Sequence, residues 1–229
     1  QFFLYIPSDY LSDKQIDILH QFSEEAFEFF KNKPLHRRKL IINNGQYNNE
    51  PAITILLLND DKSFIVDSIN CLLFRLELHP KFIVHPTFNT TRNPDGTLQN
   101  LIDKTNITNE SLLFIKIIGH FSEQTIKHLS EEIHDIMDLV DQTNKVRPNI
   151  IEQIENYISI INQSPTLVNH AKDIMDFLHW LIKHDFTFLG LIRFNLKNNQ
   201  LIEEEPQKIW HNHKNELQEI IDFSNKEIN

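Results

Sequence analysis

Twelve histidines and 32 acidic residues give this 229-residue sequence the side chains that metal or acid–base chemistry needs. Their spacing argues against a metal site, because no two histidines are four residues apart and no H-E-x-x-H motif occurs. His211 and His213 are close but have no third ligand in view, and His128 and His134 are about 240° apart on a predicted helix. We therefore predict no metal ligand, and a metal-dependent hydrolase is the least favoured interpretation.

Other candidates for chemistry have simpler structural explanations. His85 precedes Pro86, which holds it extended, and a structural histidine is favoured there over a ligand or an acid–base group. Cys71, the single cysteine, falls on a predicted core helix as a small hydrophobe. Acid pairs such as Glu24/Glu25 fall on the outer faces of amphipathic helices. We predict no catalytic residue in this chain.

Glycine usage excludes three motifs that depend on closely spaced glycines. The four glycines are widely separated, at Gly45, Gly96, Gly119 and Gly190. A dinucleotide fingerprint, a P-loop and a G-x-S-x-G elbow all need closely spaced glycines. We therefore predict no cofactor-binding residue here.

Bulk composition limits the classes of binding partner and the cellular locations that fit this chain. The formal net charge of -10 disfavours nucleic acid, whose binding proteins neutralise phosphates. No apolar run approaches the ~20 residues that span a bilayer, so we expect no membrane insertion. One cysteine agrees with a reducing, cytoplasmic location. The chain starts without Met and ends in a polar stretch, which suggests a piece of a longer protein.

The periodicity of apolar residues predicts an α+β fold. After a helix that ends before Pro34, the order from about Ala52 to Gln142 is strand, helix, strand, strand, helix. This is the order of a ferredoxin-like split β-α-β unit, with helices on one face of an antiparallel sheet. Its usual fourth strand is missing, and Lys39 to Asn43 is a candidate for that edge. Two helices after Arg147, each with an early proline, and a hairpin follow.

The stretch "NDDKSFIVDSI", residues 59–69, contains three aspartates at the start of and within a predicted apolar helix. Asp60 or Asp61 is predicted to cap a helix that runs to about Leu78. Asp67 shares the second apolar face of that helix with Phe64, Cys71 and Phe74. A helix with two apolar faces usually packs against two partners, so this face is a candidate interface. A partly exposed aspartate beside chance apolar neighbours is the alternative.

Several ordered motifs resemble the N-terminal region of the large bacterial NAD-specific glutamate dehydrogenases. Together they cover nearly the whole chain, and their order is more specific than any one of them. They are "YIPSDYL" (5–11), "NDDKSFIVDSI" (59–69), "IVHP" (83–86), Arg92 before Gly96, "ESLLFIKI" (110–117) and "FLHWLIKHDFTFLGLIRF" (177–194).

The resemblance implies a domain layout. Residues 1–34 would be an N-terminal helical lead-in, 35–145 an ACT-like domain and 146–185 a helical connector. Residues 186–229 would begin a further sensory-type unit, PAS- or ACT-like, that is truncated. The catalytic domain, with NAD as its cofactor, would lie downstream.

The resemblance also implies a function and a candidate ligand site. This chain would be a non-catalytic regulatory or assembly segment of an enzyme that converts L-glutamate to 2-oxoglutarate with NAD reduction. Its partners would be downstream domains of the same chain and other copies in a homo-oligomer. ACT domains often bind an amino-acid effector at the first strand-to-helix loop, here Asp60, Asp61, Ser63 and Phe64. Ser63 where glycine is common, and two acids at the helix start, weaken that expectation. A stand-alone amino-acid-sensing ACT module is the alternative function.

Overall fold

The computed structural model describes residues 16–101, 108–163, 168–183, 186–190, 194–197 and 200–203. It divides into two compact units, residues 1–140 and 141–229. The first contains α1 (Ile16–Phe30), β1 (Lys39–Tyr47), β2 (Glu50–Asp60), α2 (Ile65–Arg75), β3 (Pro80–Val84), β4 (Thr87–Arg92), β5 (Leu98–Leu101), β6 (Thr108–Ile118) and the start of α3 (Glu123–Gln163). The rest of α3, α4 (Val168–Ile182), β7 (Phe194–Lys197) and β8 (Gln200–Glu203) follow.

The sheet of the first unit has the order β1-β2-β6-β4-β5, and β3 also pairs with β6. All of these neighbours are antiparallel. β2 is buried from Ala52 to Asn59, as expected for a central strand that is apolar on both faces. β1 lies beside β2 at the edge, so the candidate Lys39 to Asn43 strand does occupy the place of the fourth strand.

Alternation along β2 and β6 builds two cores on opposite faces of the sheet. On one face, α2 and α3 cover the sheet through a cluster that includes Ile55, Leu73, Ile115 and Ile133. On the other face, α1 covers it through Phe22, Ala26, Phe29 and Phe30. The helix before Pro34 is therefore one layer of a three-layer unit, which the expectation of helices on one face did not include.

The helix after the β2 strand differs from its predicted bounds. β2 continues in register with β6 as far as the Asp60–Glu110 pair, so both residues lie in the sheet. α2 begins at Ile65, after Phe64 in a left-handed conformation, and ends at Arg75. The prediction that Asp60 or Asp61 caps this helix is wrong, because the strand extends farther than the acids suggested.

The predicted helix break near Arg147 is also wrong. α3 runs without interruption from Glu123 to Gln163 and contains Pro148. A proline inside a helix removes one backbone hydrogen bond, and here Pro148 is exposed. In the second unit Ile150, Ile154 and Ile158 pack with residues of α4, which stabilises the helix beyond the proline.

β7 and β8 form the predicted hairpin, paired from Phe194–Glu203 to Lys197–Gln200. In the described ranges, no helix has both the length and the apolar character needed to cross a membrane.

Candidate functional site

Four charged side chains meet where the C-terminal end of α1, the end of β2, the end of β4 and the start of β6 come together. We call this set the charge cluster: Lys33, Asp60, Arg92 and Glu110. Lys33 is 3% exposed and Glu110 is 1% exposed, although lysine and glutamate are rarely buried without partners. Each is paired here, so the cluster satisfies the rule for buried charge.

Glu110 accepts from both cations of the cluster. Its Oε2 lies 2.7 Å from Arg92 Nη2, and its Oε1 lies 2.8 Å from Arg92 Nε, so the guanidinium grips the carboxylate in a bidentate manner. Lys33 Nζ lies 3.1 Å from Glu110 Oε1 and also pairs with Asp60. Lys33 thus bridges the two acids.

Arg92 also donates to backbone carbonyl groups at the end of α1 and in the β4–β5 turn. Nη2 donates to the Phe30 carbonyl oxygen at 3.0 Å, and Nη1 donates to that of Gly96 at 2.9 Å and that of Lys31 at 3.3 Å. The guanidinium also lies 5.1 Å from the centre of the Phe30 ring. Arg92 therefore ties α1 to the sheet and supplies donors to helix carbonyls that lack intrahelical partners.

Gly96 closes the same corner from the β4–β5 turn. Its φ is +87°, and its carbonyl oxygen accepts from Lys33 N at 3.1 Å. A Cβ built on Gly96 would overlap the backbone carbonyl oxygen of Lys33. Both the conformation and the close approach require glycine at this position.

The charge cluster holds Glu110 in its ionised form. Burial by itself would raise the pKa of Glu110, but the hydrogen bonds from Arg92 and the charge of Lys33 outweigh it, and the pKa is lowered. A carboxylate held this way is a poor general acid–base group near neutral pH, because its protonated form is disfavoured. The geometry is that of a structural clamp.

The four residues of the predicted effector loop have different structural roles. Asp60 belongs to β2 and pairs with Lys33, and the Asp61 amide donates to the Asn109 carbonyl oxygen at 2.8 Å. Ser63 is exposed, and Phe64 is half-buried at the N-cap of α2, where its side chain cannot accept a capping bond. A ligand role for these four residues stays a prediction.

Three of the four predicted interface residues, Asp67, Cys71 and Phe74, lie on the outer surface of α2, whereas Phe64 packs against the core. Phe74 is 79% exposed, and Cys71 and Asp67 are also exposed. The prediction of Cys71 as a small core hydrophobe is therefore wrong. Asp67 lies in the first turn of α2, where the helix dipole stabilises negative charge, and this explains an acid there without a buried partner. A covering partner for this face stays a prediction.

Arg75 and Arg92 both pair with acids other than Asp67. Arg92 binds Glu110, and Arg75 pairs with Glu132 of α3. His85 is half-buried just after β3, and its buried Nε2 has no hydrogen-bond partner among the residues that the structure describes. Burial lowers the pKa of His85 more than the charge of Asp61 raises it. The structural role predicted for His85 stays a prediction.

No group of three metal-binding side chains occurs in the described part of the chain, and His211 and His213 lie outside it.

Comparison with known proteins identifies the family of this chain. A family model described as "Glutamate dehydrogenase, ACT1 domain" matches residues 1–133, more than half of the chain. This chain belongs to the glutamate dehydrogenase ACT1 domain family. An NAD-specific glutamate dehydrogenase of Halomonas elongata is 22% identical over 211 residues, which cover 87% of this chain and 13% of that protein. The chain thus spans a small part of that relative's length.

The ACT1 match confirms the predicted ACT-type α+β fold and includes both α1 and the whole charge cluster. The predicted domain boundaries at 34, 145 and 185 stay predictions. Three cluster residues, Asp60, Arg92 and Glu110, are within motifs that carried the sequence resemblance. Lys33 was missed because "KNKP" looks like an ordinary polar helix end. A lysine within an apolar strand, Lys116 in "LLFIKII", was a signal of unusual burial that sequence reasoning passed over.

Proposed function

We propose that this chain is a non-catalytic regulatory and assembly segment of a cytoplasmic NAD-dependent glutamate dehydrogenase. The parent enzyme would convert L-glutamate, NAD and water to 2-oxoglutarate, ammonia and NADH, with NAD bound by downstream domains. The observation that carries the proposal is the ACT1 match over residues 1–133. The alignment with a small part of an NAD-specific relative supports the same assignment.

The arrangement of charge supports a structural role for this segment. Glu110, a buried carboxylate, is held ionised by Arg92 and Lys33. Arg92 also binds backbone carbonyl groups, and Lys33 also pairs with Asp60. These groups fix α1 to the sheet, and the lowered pKa of Glu110 makes that carboxylate a poor group for proton transfer at neutral pH. A rigid three-layer unit of this kind suits a module that transmits or maintains contacts between larger domains.

The outer face of α2 is the proposed assembly surface. Phe74 projects with most of its surface in solvent, beside Cys71 and Asp67. Large aromatic side chains contribute strongly to interfaces when they are buried there. The partner would be a downstream domain of the same chain or a second copy in a homo-oligomer.

Substitution of Phe74 by aspartate in the parent enzyme tests this surface. Phe74 is exposed in the 229-residue chain. We therefore expect the substitution to change the free energy of unfolding of this chain by less than about 0.5 kcal/mol. We expect the assembled mass of the parent enzyme, measured by sedimentation velocity, to fall. The matched control is Phe27→Asp, which changes an exposed phenylalanine on α1. An unchanged mass for Phe74→Asp, or an equal effect of both variants, would remove α2 from the interface between copies of the enzyme.

The alternative, an amino-acid-sensing module, rests on the loop that leads to the N-terminus of α2, where backbone N–H groups favour a carboxylate. The exposed Asp61 opposes it, because its charge repels an anionic ligand. Thermal unfolding of the chain with each common amino acid separates the two functions. A specific rise in melting temperature that Ser63→Trp abolishes would support sensing at this loop. Equal responses of the native chain and the variant would favour the assembly function.

A further inference from the structure

Lys116 is a buried cation outside the charge cluster. It lies in the middle of β6, in a cross-strand row with Asn43 of β1, Thr54 of β2 and Phe82 of β3. The row lies on the face of the sheet that α1 covers, and Lys116 is only 3% exposed. A lysine at this depth must find compensation for the water that its ammonium group has lost.

The compensation within the described residues is incomplete. Lys116 Nζ donates to Thr54 Oγ1 at 2.6 Å and lies 4.9 Å from the centre of the Phe22 ring. An ammonium group carries three donors, and no carboxylate lies within ion-pair distance of this one in the part of the chain that the structure describes. Burial lowers the pKa of Lys116, and the more distant charge of Glu25 only partly opposes that effect.

Lys116 is one of the residues that line an open cavity of about 930 Å³. The wall formed by α1 contributes Gln21 and Glu25, and the edge strand β1 contributes Asn43 and Gly45. Gly45 leaves room here, because a Cβ built on it would have no atom within 4 Å. Amide side chains, a hydroxyl and one buried cation thus face a space large enough for a small molecule.

We propose that this cavity binds a small monocarboxylate, whose carboxylate group accepts hydrogen bonds from Lys116. The ligand would supply the negative charge that Lys116 lacks, and a charge-assisted bond of this kind is among the stronger ones in proteins. Three acids, Glu25, Glu123 and Glu131, also line the cavity, so a dicarboxylate would meet repulsion at its second charge. The proposal does not depend on the glutamate dehydrogenase assignment.

Propionate is the probe, and propionamide is its neutral counterpart of almost the same shape. Both are titrated into the ¹⁵N-labelled chain at constant ionic strength, and amide shifts are followed by NMR. We expect saturable shifts at Thr54, Lys116 and their neighbours with propionate only. Lys116→Met should weaken binding by about tenfold or more, since a hydrogen bond to a charged group is lost. Lys127→Met, which removes another lysine of the lining, should retain binding within about twofold.

A second variant keeps the test decisive if Lys116→Met does not fold. Gly45→Leu leaves Lys116 in place and extends a side chain into open space, so it should fold and block the cavity. Loss of the propionate shifts in Gly45→Leu would support the site. Three outcomes would overturn the proposal. They are equal shifts with propionate and propionamide, shifts that persist in either variant, and no shift at the highest propionate concentration used.

Discussion

Substitution of Glu110 by glutamine is expected to lower the free energy of unfolding by about 3 kcal/mol, at the lower end of the ~3–5 kcal/mol typical of a broken buried ion pair. The change preserves shape but removes the charge that neutralises Arg92 and Lys33. Both cations would stay buried with weaker compensation. Urea denaturation of the chain, with the slope held common, measures the loss.

Glu132→Gln is the matched control for Glu110→Gln. Glu132 also pairs with an arginine, Arg75, but that arginine is largely exposed at the protein surface. Exposed pairs contribute little, about 0–1 kcal/mol. Similar losses for both variants would show that the charge cluster does not behave as a buried structural clamp.

The acid limb of the stability curve provides a second readout of the same residue. The pKa of Glu110 is lowered in the folded state from its ordinary value of 4.5, so the unfolded chain binds the proton more readily. The stabilisation from this group is fully present above pH 4.5 and is lost as the pH falls through the lower, folded pKa. Stability should fall less steeply with acid in Glu110→Gln, and an unchanged acid limb would contradict the assigned pKa direction.

Substitution of Gly96 by alanine is expected to destabilise the chain by about 3 kcal/mol or more. The left-handed φ of +87° costs any residue with a side chain, and the new methyl group would also overlap the Lys33 carbonyl oxygen. Since that carbonyl is backbone next to the charge cluster, relief of the overlap would pull Lys33 away from Glu110. Thermal and urea unfolding would both report the loss.

Gly45→Ala is the matched control for Gly96→Ala. Gly45 lies within β1, has no positive φ, and has open space around its Cβ position. Alanine there should be neutral or stabilising by up to about 1 kcal/mol, because glycine weakens a strand interior. If Gly96→Ala were as harmless as Gly45→Ala, the β4–β5 turn would not be the close-packed corner described above.

The sequence predicted the sheet because its signal is local. "AITILLL" and "SLLFIKII" are apolar on both faces except at the buried Thr54, Ser111 and Lys116, and both became central strands. The charge cluster was harder to foresee. Arg92 and Glu110 are 18 residues apart, and Lys33 comes from a segment of ordinary polar appearance. Their meeting depends on the antiparallel register of β4 and β6 and on the position of α1, which no local pattern encodes.

Two helix boundaries show how tertiary contacts override local signals. Consecutive acids before an apolar run usually indicate a cap, but pairing with β6 extended β2 through Asp60. Pro148 usually begins or ends a helix, but packed isoleucines on its C-terminal side carry α3 through it. In each case the energy of longer-range pairing or burial exceeds the local preference.

The most direct test of the proposed function is the rate of NADH formation from L-glutamate and NAD by the purified 229-residue chain. The parent enzyme, at the same molar concentration and in the same buffer, is the positive control. We expect a rate equal to the blank for the chain and a substantial rate for the parent enzyme. NADH formation by the chain that depends on L-glutamate and scales with chain concentration would contradict it.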